Sequence, residues 1–272
     1  MRIIHRVSVG SDEKMRRELA SLGVVVGEGN ELASNLVTFE IDEEHRSWSA
    51  IQAWIARTDA VDIVETKFSP EEIEKARWLE PEIGWYHGYP QPKELEFGYL
   101  QATYDLTDYC ERCGIGLKQK APFQMKREPK WGSKGILQLN WVFDEYFVTP
   151  KVWKEVFEPH GIECRSVLSV SGTKLETVLQ LVIGDEVDIV EAGLATEGSC
   201  SKCGRTKFVP VTRGPFPALT RDPSAAVAKT KQYFGTGASA FKGIVVTKAL
   251  ADTLLAKKLR GVSFRPVAQL AI

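Results

Sequence analysis

The sequence contains one short motif twice, as Cys110-Glu111-Arg112-Cys113-Gly114 and as Cys200-Ser201-Lys202-Cys203-Gly204. Each copy is a CxxCG knuckle, and together the copies use four of the five cysteines. Two thiolates three positions apart on a tight turn bind a metal ion from one side, and the following glycine readily adopts the positive φ that such a turn often needs. Four sulfur ligands complete the tetrahedral shell of a structural zinc site. The motifs therefore predict one Zn²⁺ bound by Cys110, Cys113, Cys200 and Cys203.

Two other interpretations of these cysteines stay open. The 86 residues between the pairs exceed the spacing of about 15 to 20 that is usual in zinc ribbons, although a symmetric repeat accounts for a longer separation. In one alternative the knuckles are independent turns with reduced thiols. In the other they are redox-active, which requires the motif at a helix N-terminus beside a βαβ sheet. Because four cysteines leave no open position for water or substrate, the expected zinc is structural.

The first 68 residues alternate between strand and helix patterns. Strands are expected at residues 3–9, 24–26, 36–41 and 62–67, and helices at residues 12–22 and 43–58. The order βαββαβ predicts a ferredoxin-like domain. A third helix is expected from Ser69 to about residue 79, because Ser69, Pro70 and Glu72 form a capping box with proline at the first helical position.

Residues 80–95 contain three prolines among the aromatic residues Trp85, Tyr86 and Tyr89. This composition predicts a linker that packs through its aromatic side chains. A domain boundary near residue 90 follows. Residues 1–90 are then the ferredoxin-like domain with its linker, and residues 91–272 form the double-CxxCG domain.

The second domain has the pattern of an internal repeat. After each knuckle come a Val-Thr pair, a helical stretch and a segment that runs from glycine to valine, starting at Gly161 in one copy and Gly261 in the other. The offsets between copies are 90 for the knuckles, 98 for the Val-Thr pairs and 100 for the glycines. Each glycine would end its helix in a left-handed cap. The predicted fold class is α+β, with a ferredoxin-like βαββαβ domain followed by a pseudo-symmetric duplicated α+β unit whose pseudo-two-fold axis joins both knuckles at one zinc.

Composition indicates a cytoplasmic location. A hydrophobic content of 43% and a charged content of 26% are those of a soluble globular protein. No apolar run approaches the roughly 18 residues of a membrane helix, and the N-terminal stretch lacks the apolar core of a signal peptide. In a reducing compartment paired cysteines bind metal more often than they form disulfides.

Positive charge follows each knuckle. Residues 118–134 and residues 202–221 each carry +5, which leaves −11 for the rest of a chain whose net charge is −1. The candidate partner-binding group comprises Lys126, Arg127, Lys130 and Trp131, and Phe123 and Trp131 lie among the lysines as stacking on bases would require. A zinc ion with four thiolates carries −2, so these cations would also offset the charge of the site. Nucleic acid and an acidic protein both remain open as partners.

Two further residues have alternative roles. Cys164 matches Phe264 in the repeat, which predicts a buried apolar position rather than a reactive thiol. His87 lies in Trp85-Tyr86-His87-Gly88-Tyr89, where the aromatic side chains would form either a pocket or plain packing around it. The sequence contains neither a nucleophile elbow nor a P-loop.

The double CxxCG pattern resembles that of the double-CxxCG motif family, which occurs as multiple paralogues in myxobacteria. The resemblance covers about residues 96–272 and rests on six positions, Cys110, Cys113, Gly114, Cys200, Cys203 and Gly204, with residues 261–267 in a compatible place. Some members of the family are described as immunity proteins against polymorphic toxins. The resemblance implies a cytosolic binding protein without catalysis that neutralises a toxin by masking its surface.

The main hypothesis is therefore a non-enzymatic, zinc-stabilised binding protein of the immunity type, with a protein such as a toxin as its partner and no membrane association. The alternative is a zinc-ribbon nucleic-acid-binding protein that uses the basic loops after each CxxCG. A third hypothesis places an enzyme active site in the aromatic segment at His87.

Overall fold

The computed structural model describes residues 1–10, 12–26, 31–33, 36–93 and 97–270. These residues form a mixed α+β protein with mostly strands and few helices. They divide into two compact units, one formed by Met1–Glu72 with Val211–Pro215 and the other by Ile73–Pro210 with Phe216–Ile272. The sequence placed a boundary near residue 90. Residues 73–90 instead belong to the second unit, because a strand within them is hydrogen-bonded inside its sheet.

In its described residues, the first unit contains a four-stranded antiparallel sheet and two helices. Its elements are β1 Arg2–Gly10, α1 Glu13–Ser21, β2 Glu31–Ala33, β3 Leu36–Asp42, α2 Trp48–Ala56 and β4 Val61–Lys67. The strands lie in the order β2-β3-β1-β4, and each neighbouring pair is antiparallel. Residues 24–26, expected as a strand, form none, and the second strand lies at β2 instead.

Periodicity in the sequence explains the core of this unit. Alternate residues of a strand point to one face, whereas residues three or four apart share one face of a helix. The buried side chains follow both periods: Val7 and Val9 on β1, Val37 and Phe39 on β3, Met15 and Leu19 on α1, and Ile51 and Trp54 on α2. The apolar faces of both helices and the sheet therefore form one hydrophobic core.

The capping box predicted at Ser69 is confirmed. The Ser69 N–H donates to Glu72 Oε2 at 2.8 Å, and the Glu72 N–H donates to Ser69 Oγ at 3.2 Å. The helix that follows, α3 Pro70–Lys75, is shorter than expected, and it contains the point at which the chain leaves the first unit. The chain continues into β5 Trp78–Ile83, within the segment expected as the linker at residues 80–95. Residues 94 and 95 of that segment lie outside the described residues.

The second unit consists of one five-stranded sheet, one seven-stranded sheet and a short two-stranded pair. After β5, its elements are α4 Gly98–Thr103, β6 Tyr104–Asp105, β7 Lys118–Gln119, β8 Gln124–Met125, β9 Ile136–Leu139, β10 Val142–Val148, α5 Pro150–Val152, β11 Cys164–Ser169, β12 Lys174–Leu181, β13 Glu186–Val187, β14 Thr196–Ser199, β15 Thr206–Phe208, β16 Val227–Phe234, β17 Phe241–Thr247, α6 Lys248–Ala256 and β18 Val262–Pro266. A π-helical turn at Trp153–Phe157 and a 3₁₀ turn at Glu158–His160 extend α5.

In each large sheet of this unit, one strand that is important for the topology lies between two antiparallel partners. The five-stranded sheet has the order β8-β11-β12-β10-β9, and β12 is antiparallel to both β10 and β11. The larger sheet has the order β14-β15-β16-β17-β5-β18, with β13 beside β16. In it, β5 is antiparallel to both β17 and β18. The strand β5 therefore completes a sheet whose other members come from the last third of the chain.

Helical segments follow the Val-Thr pairs after β10 and β17, as expected, and a threonine caps the start of each. Thr149 Oγ1 accepts from the Val152 N–H at 3.1 Å, and Thr247 Oγ1 accepts from the Leu250 N–H at 3.3 Å. Gly161 ends the first segment in the left-handed conformation, as expected. Gly261 is left-handed too, but it lies four residues beyond the α6 C-cap, Lys257. None of the helices in the described ranges is long and apolar enough to cross a membrane.

Candidate metal centre

The four knuckle cysteines form one cluster. Their sulfur atoms all lie within 4.8 Å of one another. The Sγ atoms of Cys110 and Cys200 are 3.9 Å apart, and those of Cys113 and Cys203 are 3.6 Å apart. In a tetrahedral zinc site with Zn–S bonds of about 2.3 Å, the sulfurs are about 3.8 Å apart. The cluster therefore has the ligands and the dimensions to hold one metal ion.

The two knuckles have the same backbone hydrogen bonds. The Gly114 N–H donates to the Cys110 carbonyl and the Gly204 N–H donates to the Cys200 carbonyl, both at 2.8 Å. The Cys110 N–H donates to Ile115 and the Cys200 N–H to Arg205, both at 2.9 Å. Gly114 and Gly204 have φ values of +80° and +72°, where an L side chain is strained. Each turn thus directs both of its thiols to the same side.

The surroundings of the two knuckles differ. Cys110 and Cys113 are buried, whereas Cys200 is half-buried and Cys203 is exposed. Gly114 is in close contact with another chain segment, because a Cβ added to it would lie 2.4 Å from the carbonyl oxygen of Ala238. A Cβ added to Gly204 would meet no atom within 4 Å. The first knuckle is therefore fixed inside the unit, and the second lies at its surface.

Cations from the second basic segment surround the cluster. Arg205 Nε lies 3.4 Å from Cys203 Sγ, and another nitrogen of the same guanidinium donates to the Asp108 carbonyl at 2.7 Å. Lys202 Nζ lies 2.7 Å from Glu111 Oε1, which connects the two knuckles through an exposed ion pair. A zinc ion with four thiolates carries −2. At least Arg205 is placed to offset that charge.

A buried lysine supports the first knuckle from behind. Lys207 is 3% exposed, and its Nζ donates to the carbonyls of Cys113 at 3.0 Å and Ser239 at 2.9 Å. Glu197 lies 3.6 Å from the same nitrogen and balances its charge. Lys207 therefore joins the knuckle to the loop after β16. The charge pattern of the sequence included Arg205 and Lys207 but did not identify their contacts with the cysteines, because those contacts cross between chain segments.

The environment separates the pKa values of the thiols. The hydrogen bond from Arg205, followed by its backbone N–H, lowers the pKa of Cys203 to about 6. The backbone N–H groups of Lys202 and Cys203 lower the pKa of Cys200. Burial raises the pKa of Cys113 to about 12. The surroundings therefore favour the thiolate at Cys203, whereas the buried Cys113 requires a nearby cation to become a ligand.

The candidate partner-binding residues have different exposures. Lys126, Arg127 and Lys130 are exposed. Trp131 is half-buried, and its ring packs edge-on against Trp85 with centroids 5.2 Å apart. Phe123, which the sequence offered for stacking on bases, is fully buried in the core. Within the candidate partner-binding group, the exposed members are therefore the three cationic side chains.

The remaining cysteine and the singled-out histidine lie outside the cluster. Cys164 is half-buried at the start of β11, and burial raises the pKa of its thiol. His87 is half-buried and lines a cavity of about 420 Å³ together with Tyr89, Lys126 and Arg127. Burial lowers the pKa of His87 and favours the neutral imidazole. The cavity, rather than the histidine alone, is the notable feature of this segment.

Comparisons with known proteins give no assignment. No protein-family model matches the chain, and no curated protein matches it either. The likeness to the double-CxxCG motif family thus stays a prediction from the motif itself.

Proposed function

We propose that the protein is a non-enzymatic binding protein whose second unit is held together by one structural Zn²⁺. The observation that carries the proposal is the cluster of four sulfur atoms, in which each knuckle supplies two ligands. Four thiolates select zinc or an iron–sulfur centre over hard cations, and a closed Cys₄ shell leaves no position for a substrate. The metal then fastens two distant segments rather than performing a reaction.

We infer further that this unit is a duplication. The spatial order of the strands supports this inference. The five-stranded sheet contains the neighbours β9-β10-β12-β11, and the larger sheet contains the neighbours β16-β17-β5-β18 in corresponding positions. In each set the second strand leads into a threonine-capped helical segment, and the fourth strand follows a left-handed glycine. The third strand of each set, β12 or β5, precedes a knuckle in the sequence. A shared zinc between the knuckles fits such a pseudo-two-fold arrangement.

For the first unit, a ferredoxin-like fold is the best assignment. It is supported by the element order βαββαβ and by the strand order β2-β3-β1-β4 with antiparallel neighbours. Unrelated functions occur on that fold, so it adds nothing to the functional assignment.

The immunity role is the most specific form of this proposal. A protein that masks a toxin needs a stable, partner-complementary surface and no catalytic machinery. The zinc cluster provides stability, and the exposed cations Lys126, Arg127 and Lys130 provide a charged surface. Under this proposal the protein acts in the cytoplasm, where it would bind the toxin that its own cell produces or receives.

Elemental analysis of the purified, untagged protein tests the metal. One zinc per chain is expected, with four thiols released on chelation and Cys164 as the fifth. The control variant Cys164→Ser should keep the zinc, whereas Cys203→Ser should lose it or bind it far more weakly. Five freely reacting thiols and no metal would refute the proposed zinc centre.

Growth rescue tests the immunity role. The chain would be co-expressed with the product of a neighbouring toxin gene, with Cys110→Ser/Cys200→Ser as the metal-free comparison. Rescue by the wild type at equal protein abundance supports masking. Rescue that persists when the two proteins fail to co-purify would point to an enzymatic or indirect effect instead.

The second candidate function is nucleic-acid binding. The observation in its favour is that Lys126, Arg127 and Lys130 are exposed and form no ion pair with any described residue. Binding of single-stranded DNA or RNA should then weaken as salt increases, and neutralising these three residues should remove that salt dependence. Binding that is unaffected by the triple variant would eliminate this candidate.

A further inference from the structure

Three exposed aromatic side chains meet on the second unit and form what we call the aromatic patch, defined as Tyr89, Phe97 and Trp141. Their exposures are 37%, 47% and 38%. The Trp141 ring lies 4.3 Å from the Tyr89 ring and 4.8 Å from the Phe97 ring, measured between centroids. Single exposed apolar residues are ordinary, but a contiguous group of large aromatic side chains is typical of interaction sites.

Backbone strain occurs at two of these three residues. Trp141 has φ +68° and Phe97 has φ +69°, in the left-handed region that glycine and asparagine normally occupy. Trp141 is in the two-residue turn between β9 and β10, where glycine would fit without cost. A left-handed L residue costs roughly 1–2 kcal/mol. Strained positions of this kind cluster at functional sites, and here the strained residues are neighbours.

A basic pocket adjoins the patch at Tyr89. The pocket is the cavity of about 420 Å³ that is lined by His87, Tyr89, Gln91, Lys93, Lys126 and Arg127, among others. Lys93 Nζ lies 4.5 Å from the centre of the Tyr89 ring. The described lining residues include three cations and no carboxylate, and none of these cations forms an ion pair with any described residue. The described lining of the pocket is therefore complementary to negative charge.

The packing of the rings favours a protein over a nucleic acid. Bases stack on aromatic faces that are free and splayed along a groove. Here the rings pack against one another at tilts near 50°, and Lys93 covers the Tyr89 ring. An apolar aromatic centre with a charged rim is instead the usual anatomy of a protein interface, in which Trp, Tyr and Arg contribute most of the binding energy.

We infer that the aromatic patch and the basic pocket together bind an acidic segment of a protein partner. An apolar side chain of that segment would cover Trp141, and carboxylates beside it would pair with Lys93, Lys126 and Arg127. This inference rests on the proposed binding function and names both the surface and the charge of the partner. It assigns the aromatic contacts to Trp141 and its neighbours, rather than to the half-buried Trp131.

A random 12-residue peptide library displayed on phage is a suitable probe, selected against the full-length, zinc-loaded protein. Peptides that combine Asp or Glu with Leu, Phe or Trp should be enriched. Two variants test the surface, Trp141→Gly and Lys126→Glu/Arg127→Glu. The glycine variant removes the ring at a position whose backbone suits glycine, so the fold should persist. Lys151→Glu/Lys154→Glu is the charge-matched control on exposed lysines of the helical segment after β10.

The enriched peptides, made synthetically, should bind roughly tenfold or more weakly to each test variant and normally to the control, as hot-spot truncations do. Higher salt should weaken the binding of these peptides, mainly by lowering the association rate constant. Peptides that bind all variants equally would overturn this inference. The protein would then still be a binding protein, but it would bind through a different surface. Enrichment of basic peptides, or of none, would also overturn it. So would salt-dependent binding of a single-stranded (dT) oligonucleotide that both test variants abolish. Failure of this inference can be distinguished from failure of the zinc proposal, because elemental analysis tests the zinc independently.

Discussion

Alanine substitution at the two knuckle glycines should have unequal effects, although the knuckles share one motif. Both glycines are left-handed, so alanine at either position brings backbone strain of roughly 1–2 kcal/mol. Gly204→Ala has no other cost, since its Cβ would meet no atom within 4 Å. At Gly114 the Cβ would lie 2.4 Å from the Ala238 carbonyl oxygen and 2.8 Å from the Ala240 nitrogen.

Those contacts are with backbone, so a side-chain rotation cannot relieve them. Either the knuckle or the loop at residues 235–240 must move by several tenths of an ångström. Overpacking of this kind costs about 1–3 kcal/mol, and it adds to the strain. Gly114→Ala should therefore lose about 2–5 kcal/mol in total and Gly204→Ala about 1–2 kcal/mol. Zinc affinity should fall more for Gly114→Ala, because the displaced turn includes the ligand Cys113.

Denaturant unfolding of the zinc-loaded variants measures the difference in the free energy of unfolding. Competition with a chromophoric chelator measures the difference in zinc affinity. Both variants should be compared with the wild type at one protein concentration and one free-zinc concentration. Equal destabilisation by the two substitutions would refute the reasoning, because it would mean that the contact of Gly114 with Ala238 contributes nothing. A larger loss for Gly204→Ala would contradict the assigned burial of the knuckles.

Three further predictions concern other parts of the chain. Cys110→Ser should destabilise the second unit more than the first by several kcal/mol, since structural zinc contributes on the order of 10 kcal/mol in small peptides; hydrogen exchange would show it, and equal loss of protection in both units would argue for one fused domain. Burial raises the pKa of Glu80 from 4.5 to about 8 against the opposing charge of Arg265, whose Nε lies 3.6 Å from the carboxylate, so the folded state holds a proton that the unfolded chain releases, and the free energy of unfolding should fall as pH rises through that range. Glu80→Gln should remove this slope in denaturant titrations, and an unchanged slope would assign it to other groups. Trp141→Gly should be more stable than Trp141→Ala by roughly 1 kcal/mol, because alanine keeps the left-handed strain; thermal melts compare them, and equal stability would contradict the strain at this turn.

Local patterns predicted the elements whose causes are local. The capping box at Ser69 and Glu72 needs only four adjacent residues, and its two hydrogen bonds are present. The strand expected at residues 36–41 is confirmed as β3, because the alternation of its side chains predicts a strand. The cysteines were identifiable for the same reason, since each knuckle is a turn of five residues, and both knuckles meet at one point.

The pairing of strands that are far apart in the sequence could not be predicted from local patterns. Residues 78–83 contain Pro81 and precede an aromatic, proline-rich stretch, so local patterns predict the end of a helix followed by a linker. Pairing with β17 and β18 makes them a strand. In the apolar stretch at residues 136–148, a turn at Asn140 and Trp141 separates β9 from β10. No propensity rule places tryptophan in a left-handed turn position. The turn could therefore not be foreseen, and neither could the exposure of Trp141 that results from it.

The position of β5 has a consequence for synthesis of the chain. Its partners β17 and β18 lie roughly 160 residues or more downstream, and ribosomes add about 5–20 residues per second. For about 8–30 s, then, Trp78, Leu79 and Ile83, which the finished sheet buries, have no strand to pair with. An apolar strand that waits this long is prone to pair with another nascent chain. Shortage of chaperones should therefore reduce the yield of this protein through aggregation of the second unit, before zinc supply becomes limiting.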